Sequence, residues 1–179
     1  SKNELLAETV KTYLHDWVKE SIYGQRKEIN SKYTSKGLDF EDMAIDKAIE
    51  WLDLPFVLKN KERFTDEFFT GEPDLIIKGE RVLDIKNSWD CWTFPLFENE
   101  IPTKGYEYQV QVYMHLTGIR KASVVYFLLN TPETYNSMEI SYEHVDVKYR
   151  IKRFDFEYNP DIIEELKKRV LIAREYINN

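Results

Sequence analysis

Apolar residues recur at Leu5, Leu6, Val10, Leu14, Trp17 and Val18, a spacing that lines one stripe of a helix and predicts a helix from about Glu4 to Tyr23, ended by Gly24. The period then disappears. Gln25 to Lys36 is polar and basic, with Arg26, Lys27, Lys32 and Lys36, and reads as a loop or mobile arm. Helical spacing returns from about Leu38 to Leu52, where Phe40, Met43, Ala44, Ala48, Ile49 and Trp51 are available for packing and Pro55 lies beyond the end.

Downstream the pattern changes to short β-rich runs. Glu62 to Phe69, Asp74 to Lys78 and Arg81 to Lys86 are separated by Gly71-Glu72-Pro73 and Gly79-Glu80, which predicts a meander of three strands. An aromatic connection with Trp89, Trp92, Phe94 and Phe97 leads to a helix over Thr103 to Thr117, closed by Gly118. Ala122 to Asn130 is a continuous apolar run, the signature of a buried strand. Pro132 to Met138 reads as a loop, Val145 to Phe156 as a further strand, and Asn159-Pro160-Asp161 opens a last helix to about Ile177. The order helix, three strands, helix, strand predicts an α/β layer with a mixed sheet, because the strand after the middle helix can return beside the meander.

Composition narrows the class. A chain of 179 residues, 42% hydrophobic and 15% aromatic, suits one folded domain over 1–179, with no repeat or linker to divide it. No stretch approaches the ~18 uninterrupted apolar residues of a membrane span, and a signal-peptide pattern is missing, so a soluble cytoplasmic protein is expected. One cysteine, Cys91, allows no internal disulfide and no thiolate metal cluster, so any metal must be held by oxygen. The net charge of −7 argues against a protein that coats nucleic acid by bulk charge, but not against an enzyme with a local basic strip.

The chemistry concentrates in the Asp74 to Lys86 hairpin. The turn at Gly79-Glu80 sets Asp74 opposite Asp84 or one residue away, and a bulge at Pro73 could bring both onto one face. A strand's period of two puts Asp84 and Lys86 on the same side. Two aspartates so placed suit Mg²⁺ or Mn²⁺, which polarises a phosphodiester and acidifies a bound water, while Lys86 positions that water and stabilises developing charge. A surface hairpin with ordinary charges would carry the same D-x-K triplet.

Four separated pieces distinguish these readings. Gly71-Glu72-Pro73-Asp74, Leu83-Asp84-Ile85-Lys86, the helix opening Gly37-Leu38-Asp39-Phe40-Glu41, and Gln109-Val110-Gln111-Val112-Tyr113 together resemble the PD-(D/E)xK nuclease superfamily in order and spacing. The last matches the Q-x-x-x-Y helix of RecB-type members. With its neighbours Tyr108 and Met114 to Gly118 it is similar to the helix of the bacteriophage lambda exonuclease and YqaJ-like viral recombinase branch. The resemblance covers about Gly37 to Asn130 and implies a restriction-endonuclease-like core, a mixed central β-sheet flanked by helices. It further implies Glu41, Asp74 and Asp84 as metal ligands with the main-chain carbonyl of Ile85, Lys86 as the water-orienting or electrostatic group, and Gln109 as a positioning residue. Gln111, about 200° further round the helix, should face elsewhere.

For DNA contacts the candidates are Arg26 and Lys27, and Lys148, Arg150 and Lys152, which would alternate along one strand face. The implied activity is Mg²⁺-dependent DNA hydrolysis by an end-dependent exonuclease of phage-type recombination or repair. The alternatives are a structure- or sequence-specific endonuclease and a catalytically silent DNA-binding or assembly module. A single-strand annealing protein and further copies of the chain are the partners such a role would bring.

Overall fold

The structure, a computed structural model, describes residues 6–27, 32–54, 56–131, 133 and 138–178, with side chains from residue 40 onward in the helix that opens at Lys32. The chain divides into two compact units, Ser31–Asn159 and one made from both ends, Ser1–Asn30 with Pro160–Asn179.

In the terminal unit, α1 (Glu8–Tyr23) pairs with α4 (Pro160–Asn178). Gly24 ends α1 at φ 63°, a left-handed conformation that glycine adopts without a Cβ clash. His15 Nε2 lies 2.9 Å from Tyr176 Oη, and Lys27 Nζ reaches Asp16 Oδ2 at 2.7 Å.

The larger unit holds α2 (Lys32–Trp51), a small hairpin of β1 (Phe64–Thr65) and β2 (Thr70–Gly71), then β3 (Leu75–Ile77), β4 (Arg81–Asn87), α3 (Lys104–Thr117), β5 (Lys121–Phe127) and β6 (Ile151–Glu157). The main sheet has the order β3-β4-β5-β6. Only β4 and β5 are parallel, joined through α3 as a crossover, and the other pairs are antiparallel. This is the mixed α/β sheet that the pattern predicted, flanked by helices as the resemblance implied.

Strand parity builds two cores. Val82, Ala122, Val124 and Tyr126 share one face with Val110, Tyr113 and Met114 of α3. Leu83, Val125 and Phe127 share the other with Ala44, Ile45 and Ala48 of α2. None of the described helices is long and apolar enough to cross a membrane.

Three expectations need correction. The stretch read as a loop to Lys36 turns helical at Lys32, because a polar segment with little periodicity of its own is carried along by the helix that the apolar positions from Phe40 onward build. The first run of the expected meander forms its own two-stranded sheet, since Asp66 Oδ1 accepts from Phe68 N and Phe69 N and folds the chain back at once. The strand read over 145–156 begins only at Ile151, because Asp146 caps a single 3₁₀ turn over Val147–Tyr149 by accepting from Lys148 N. Lys148, Arg150 and Lys152 therefore do not share a strand face.

Candidate active site

β3 begins at Leu75, opposite Leu83, so Asp74 and Asp84 occupy the register position just before it. Pro73 has no N–H to continue the ladder and the chain turns away. Asn60 holds the departure: its N–H donates to Asp74 O at 2.8 Å and its Nδ2 to Pro73 O at 2.9 Å. Where a strand partner is missing, the Asp74 carboxylate substitutes, Oδ2 accepting from Ile85 N at 2.5 Å. A strand residue's N–H and C=O leave on the same side, so the Ile85 carbonyl is aimed at this end of the strand as well.

On β4 the period of two places Asp84 beside Lys86, with Nζ 2.8 Å from Oδ2. That contact lies outside hydrogen-bond angles, and the buried Oδ2 has no aligned donor among the described residues. Lys86 Nζ also sits 4.5 Å from the Tyr106 ring centroid. Both carboxylates are electrostatically uncomfortable. Burial, and then the charge of Asp84, push Asp74 up to about 7 despite the Ile85 N–H and Lys86. Burial likewise pushes Asp84 above the usual range, opposed by Lys86.

From the other side α3 contributes Tyr106, Gln109 and Tyr113, spaced so that all face the acids. Gln109 Nε2 donates to Tyr113 Oη at 2.7 Å, and burial pushes the Tyr113 phenol up to about 12. Gln111 points away, fully buried, with Nε2 donating to Glu157 O and Oε1 accepting from Asn159 N. Behind Tyr113 lies Gly71, where a Cβ would stand 2.7 Å from the ring, so only glycine lets β2 pack there. Together these residues line a cleft of about 500 Å³ with Glu41, Ala44, Glu72, Ile85, Asn87 and Tyr126.

The cleft's oxygen donors suit a hard divalent cation, and the buried Asp84 Oδ2, with only the poorly aligned Lys86 ammonium against it, beside the raised Asp74 is where further positive charge would be most favourable. Asp74, Asp84 and the Ile85 carbonyl would hold it. Glu41 faces the cleft, but its Oε1 is bonded to Lys59 Nζ at 2.8 Å, and Asp42 Oδ1 takes the same ammonium at 2.7 Å. Among the described residues no three acidic, imidazole or thiol side chains come together where they could hold a metal ion, so Asp74 and Asp84 are the acidic pair on offer.

No protein-family model and no curated protein sequence matches the chain. Solved structures do. A phage-related exonuclease from Haemophilus somnus 129PT superposes with a TM-score of 0.84 at 29% identity, over 96% of this chain and 82% of that one. The fold is that of the phage-type exonucleases. An alkaline exonuclease from Laribacter hongkongensis superposes with a TM-score of 0.73 at 16% identity, over 96% and 81% of the two chains. The same exonuclease in complex with dAMP gives 0.72 at 16%, over 99% and 84%. The similarity to exonuclease structures extends over nearly the whole chain, well beyond the stretch of about 37–130 that carries the four motifs.

The expected DNA contacts fare differently. Arg150 is 7% exposed, its Nε donates to Leu128 O at 3.0 Å and its guanidinium lies 4.8 Å from the Trp51 ring. It is a buried structural arginine, drawn in because the carbonyl beyond the end of β5 needs a donor. Lys148 is exposed and paired with Asp146 at 3.3 Å, while Lys152 lies over the Phe154 ring and toward Leu96 O. Arg26 and Lys27 are exposed in the terminal unit. Of the aromatic connection, Phe94 is buried and Trp92 is 90% exposed. Sequence reading passed over Lys59, Tyr106 and Asn87. Tyr106 was detectable, three positions before Gln109 on the same helix face, whereas nothing local marks the other two.

Proposed function

We propose that this chain is a Mg²⁺- or Mn²⁺-dependent deoxyribonuclease that degrades DNA from its ends, in phage-type recombination or repair. The observation that carries the reading is the buried pair Asp74 and Asp84 with Lys86 beside it in one open cleft. Two carboxylates forced together out of water are costly as a structural device and useful as a receptor for positive charge.

Asp74 and Asp84 would hold the cation with the Ile85 carbonyl, and Ile85 N–H fixes the Asp74 carboxylate in place. A bound divalent cation supplies charge for the phosphodiester and lowers the pKa of a water. Lys86 brings its positive charge to the phosphate and stabilises the charge that grows on it, held in position by Asp84 and the Tyr106 ring. Gln109 is oriented by Tyr113 so that its remaining amide groups face the reacting centre. Exonuclease action is favoured by charge: a chain at −7 lacks the broad basic face that an endonuclease searching duplex DNA uses, and few of its expected phosphate contacts are free. Association of several copies around one strand, with an annealing protein as a further partner, would suit such an enzyme.

The test is a linearised plasmid beside the same plasmid as a closed circle, with Mg²⁺ and with EDTA. Progressive loss of the linear form alone, only with Mg²⁺, is the expected result. Rapid nicking of the circle would replace the exonuclease by an endonuclease, and undiminished cleavage in EDTA would exclude the metal.

A further inference from the structure

Asn87, the last residue of β4, lines the cleft together with Asp74, Asp84 and Lys86. Parity turns its side chain to the opposite face from Asp84 and Lys86, the face of Leu83 and Ile85, so it belongs to the wall that Glu41 and Ala44 of α2 complete. Both polar atoms of this side chain, Nδ2 and Oδ1, are buried, and neither has a hydrogen-bond partner among the described residues. Rotating the amide exchanges two orphans for two orphans.

Other amides in this unit are engaged. Asn60 donates to two carbonyls and accepts from Glu62 N, Gln111 is bonded at both ends, Asn130 Oδ1 accepts from Tyr142 N, and Gln109 donates to Tyr113. A buried carboxamide with two donors and an acceptor unmet is destabilising, and at this position an alanine or a leucine would fold with less cost. Gln109 and the tyrosine hydroxyls give the cleft neutral donors on its α3 and β5 side, and on the wall formed by β4 and α2 the neutral donor is Asn87. The cleft's other polar wall residues near β4 are carboxylates, which repel a phosphodiester and offer it no hydrogen, and Lys86, which is shared with Asp84.

We propose that Asn87 is a substrate-contact residue: its amide, closed off from solvent in the free protein, turns into the cleft when DNA binds, and Nδ2 donates to a non-bridging phosphate oxygen next to the group that Lys86 engages. The proposal rests on the nuclease reading of the cleft. A contact of this kind binds ground state and transition state alike, so its loss raises KM and leaves kcat nearly unchanged, unlike loss of Asp84 or Lys86.

The experiment uses the full chain, wild type and the variants Asn87→Ala and Asn87→Asp. Steady-state cleavage of a linear end-labelled duplex is followed in Mg²⁺, anisotropy of the same duplex in Ca²⁺, and thermal melting without DNA. The expected result for Asn87→Ala is a KM and a Kd about tenfold higher, kcat within twofold of wild type, and a Tm equal to or above wild type. Asn87→Asp, of the same shape, should bind more weakly still because it adds a third carboxylate to that wall. Wild-type KM and Kd in Asn87→Ala, or a lowered Tm with KM unchanged, would overturn the proposal. Failure of both variants to fold would do so too, since it would make the amide structural. A wild-type chain that binds the duplex without cleaving it overturns the nuclease reading instead, and anisotropy still decides the amide contact.

Discussion

The two ends of the same pair of strands treat charge in opposite ways. At the start of β4 and β5, Asp155 Oδ1 accepts from Ser123 Oγ at 2.6 Å, from Arg153 Nε at 2.6 Å and from Arg81 Nη1 at 2.8 Å. Burial pulls its pKa up, but the Ser123 hydroxyl and the two arginines outweigh it and hold the carboxyl below the usual range. At the far end, Asp84 is 1% exposed with a single ammonium, poorly aligned, against its Oδ2, and Asp74 is pushed up to about 7. Both clusters look alike in a list of charged residues. What separates them is satisfaction: the first is complete without a ligand, and the second gains most from added positive charge.

The sharpest way to break this contrast is by activity. Asp84→Ala and Lys86→Ala should each lower kcat by about a thousandfold, the usual consequence of removing a metal ligand or a charge stabiliser, with the melting curve retained. Asp155→Asn should cleave within a few-fold of wild type. Equal losses at both ends would show that the satisfied cluster also serves catalysis.

Stability against pH should separate the ends in sign. Asp74 has a folded pKa of about 7, raised above the ordinary value of 3.8, so the folded state binds the extra proton and metal-free stability is lost as pH rises from about 4 through about 7. Asp84 shifts in the same direction. Asp84→Asn should therefore raise metal-free stability at pH 7.5 by roughly 1–3 kcal/mol and flatten the pH dependence, measured by urea melts in EDTA. Asp155 is depressed, so its contribution is full above the ordinary carboxylate pKa and lost as pH falls through the folded value. Asp155→Ala should lower stability at neutral pH and make no difference in acid.

Packing offers a comparison of similar size. In Gly71→Ala the new methyl meets the Tyr113 ring, and overpacking of this kind costs about 1–3 kcal/mol. Because Tyr113 orients Gln109, kcat should fall as well, whereas Arg150→Ala should lower stability by about 1–3 kcal/mol through the orphaned Leu128 carbonyl while leaving KM alone. The smallest effect belongs to Lys148→Ala, a change of KM within about threefold that shrinks further with salt, since its exposed pair with Asp146 is weak. A larger loss would place DNA against the 3₁₀ turn.

Much of this was legible in the chain itself. Helical periodicity located α3 to within a residue, and the run from Ala122 to Asn130 read as a buried strand beside the meander, of which Lys121–Phe127 forms β5 and pairs parallel with β4. Alternation set Asp84 and Lys86 on one side of β4, which the ion pair between them reflects. The polar start of α2 and the 3₁₀ turn before β6 were misread because short polar segments carry weak periodicity, and a single capping aspartate, Asp146, decides the outcome.

The sequence alone therefore determined relations within one element or turn: which residues share a strand face, where a helix runs, and that Gly71-Glu72-Pro73 separates two β-rich runs. These follow from backbone geometry acting over a few residues. Only the tertiary structure decided that the Asp74 carboxylate caps Ile85 N–H, that Lys59 meets Glu41, that Arg150 turns inward to Leu128 and that the Asn87 amide is left without a partner. Each depends on which distant segment closes over the residue and on how much water that closure removes, and neither quantity is carried by any local pattern of hydrophobic and polar positions.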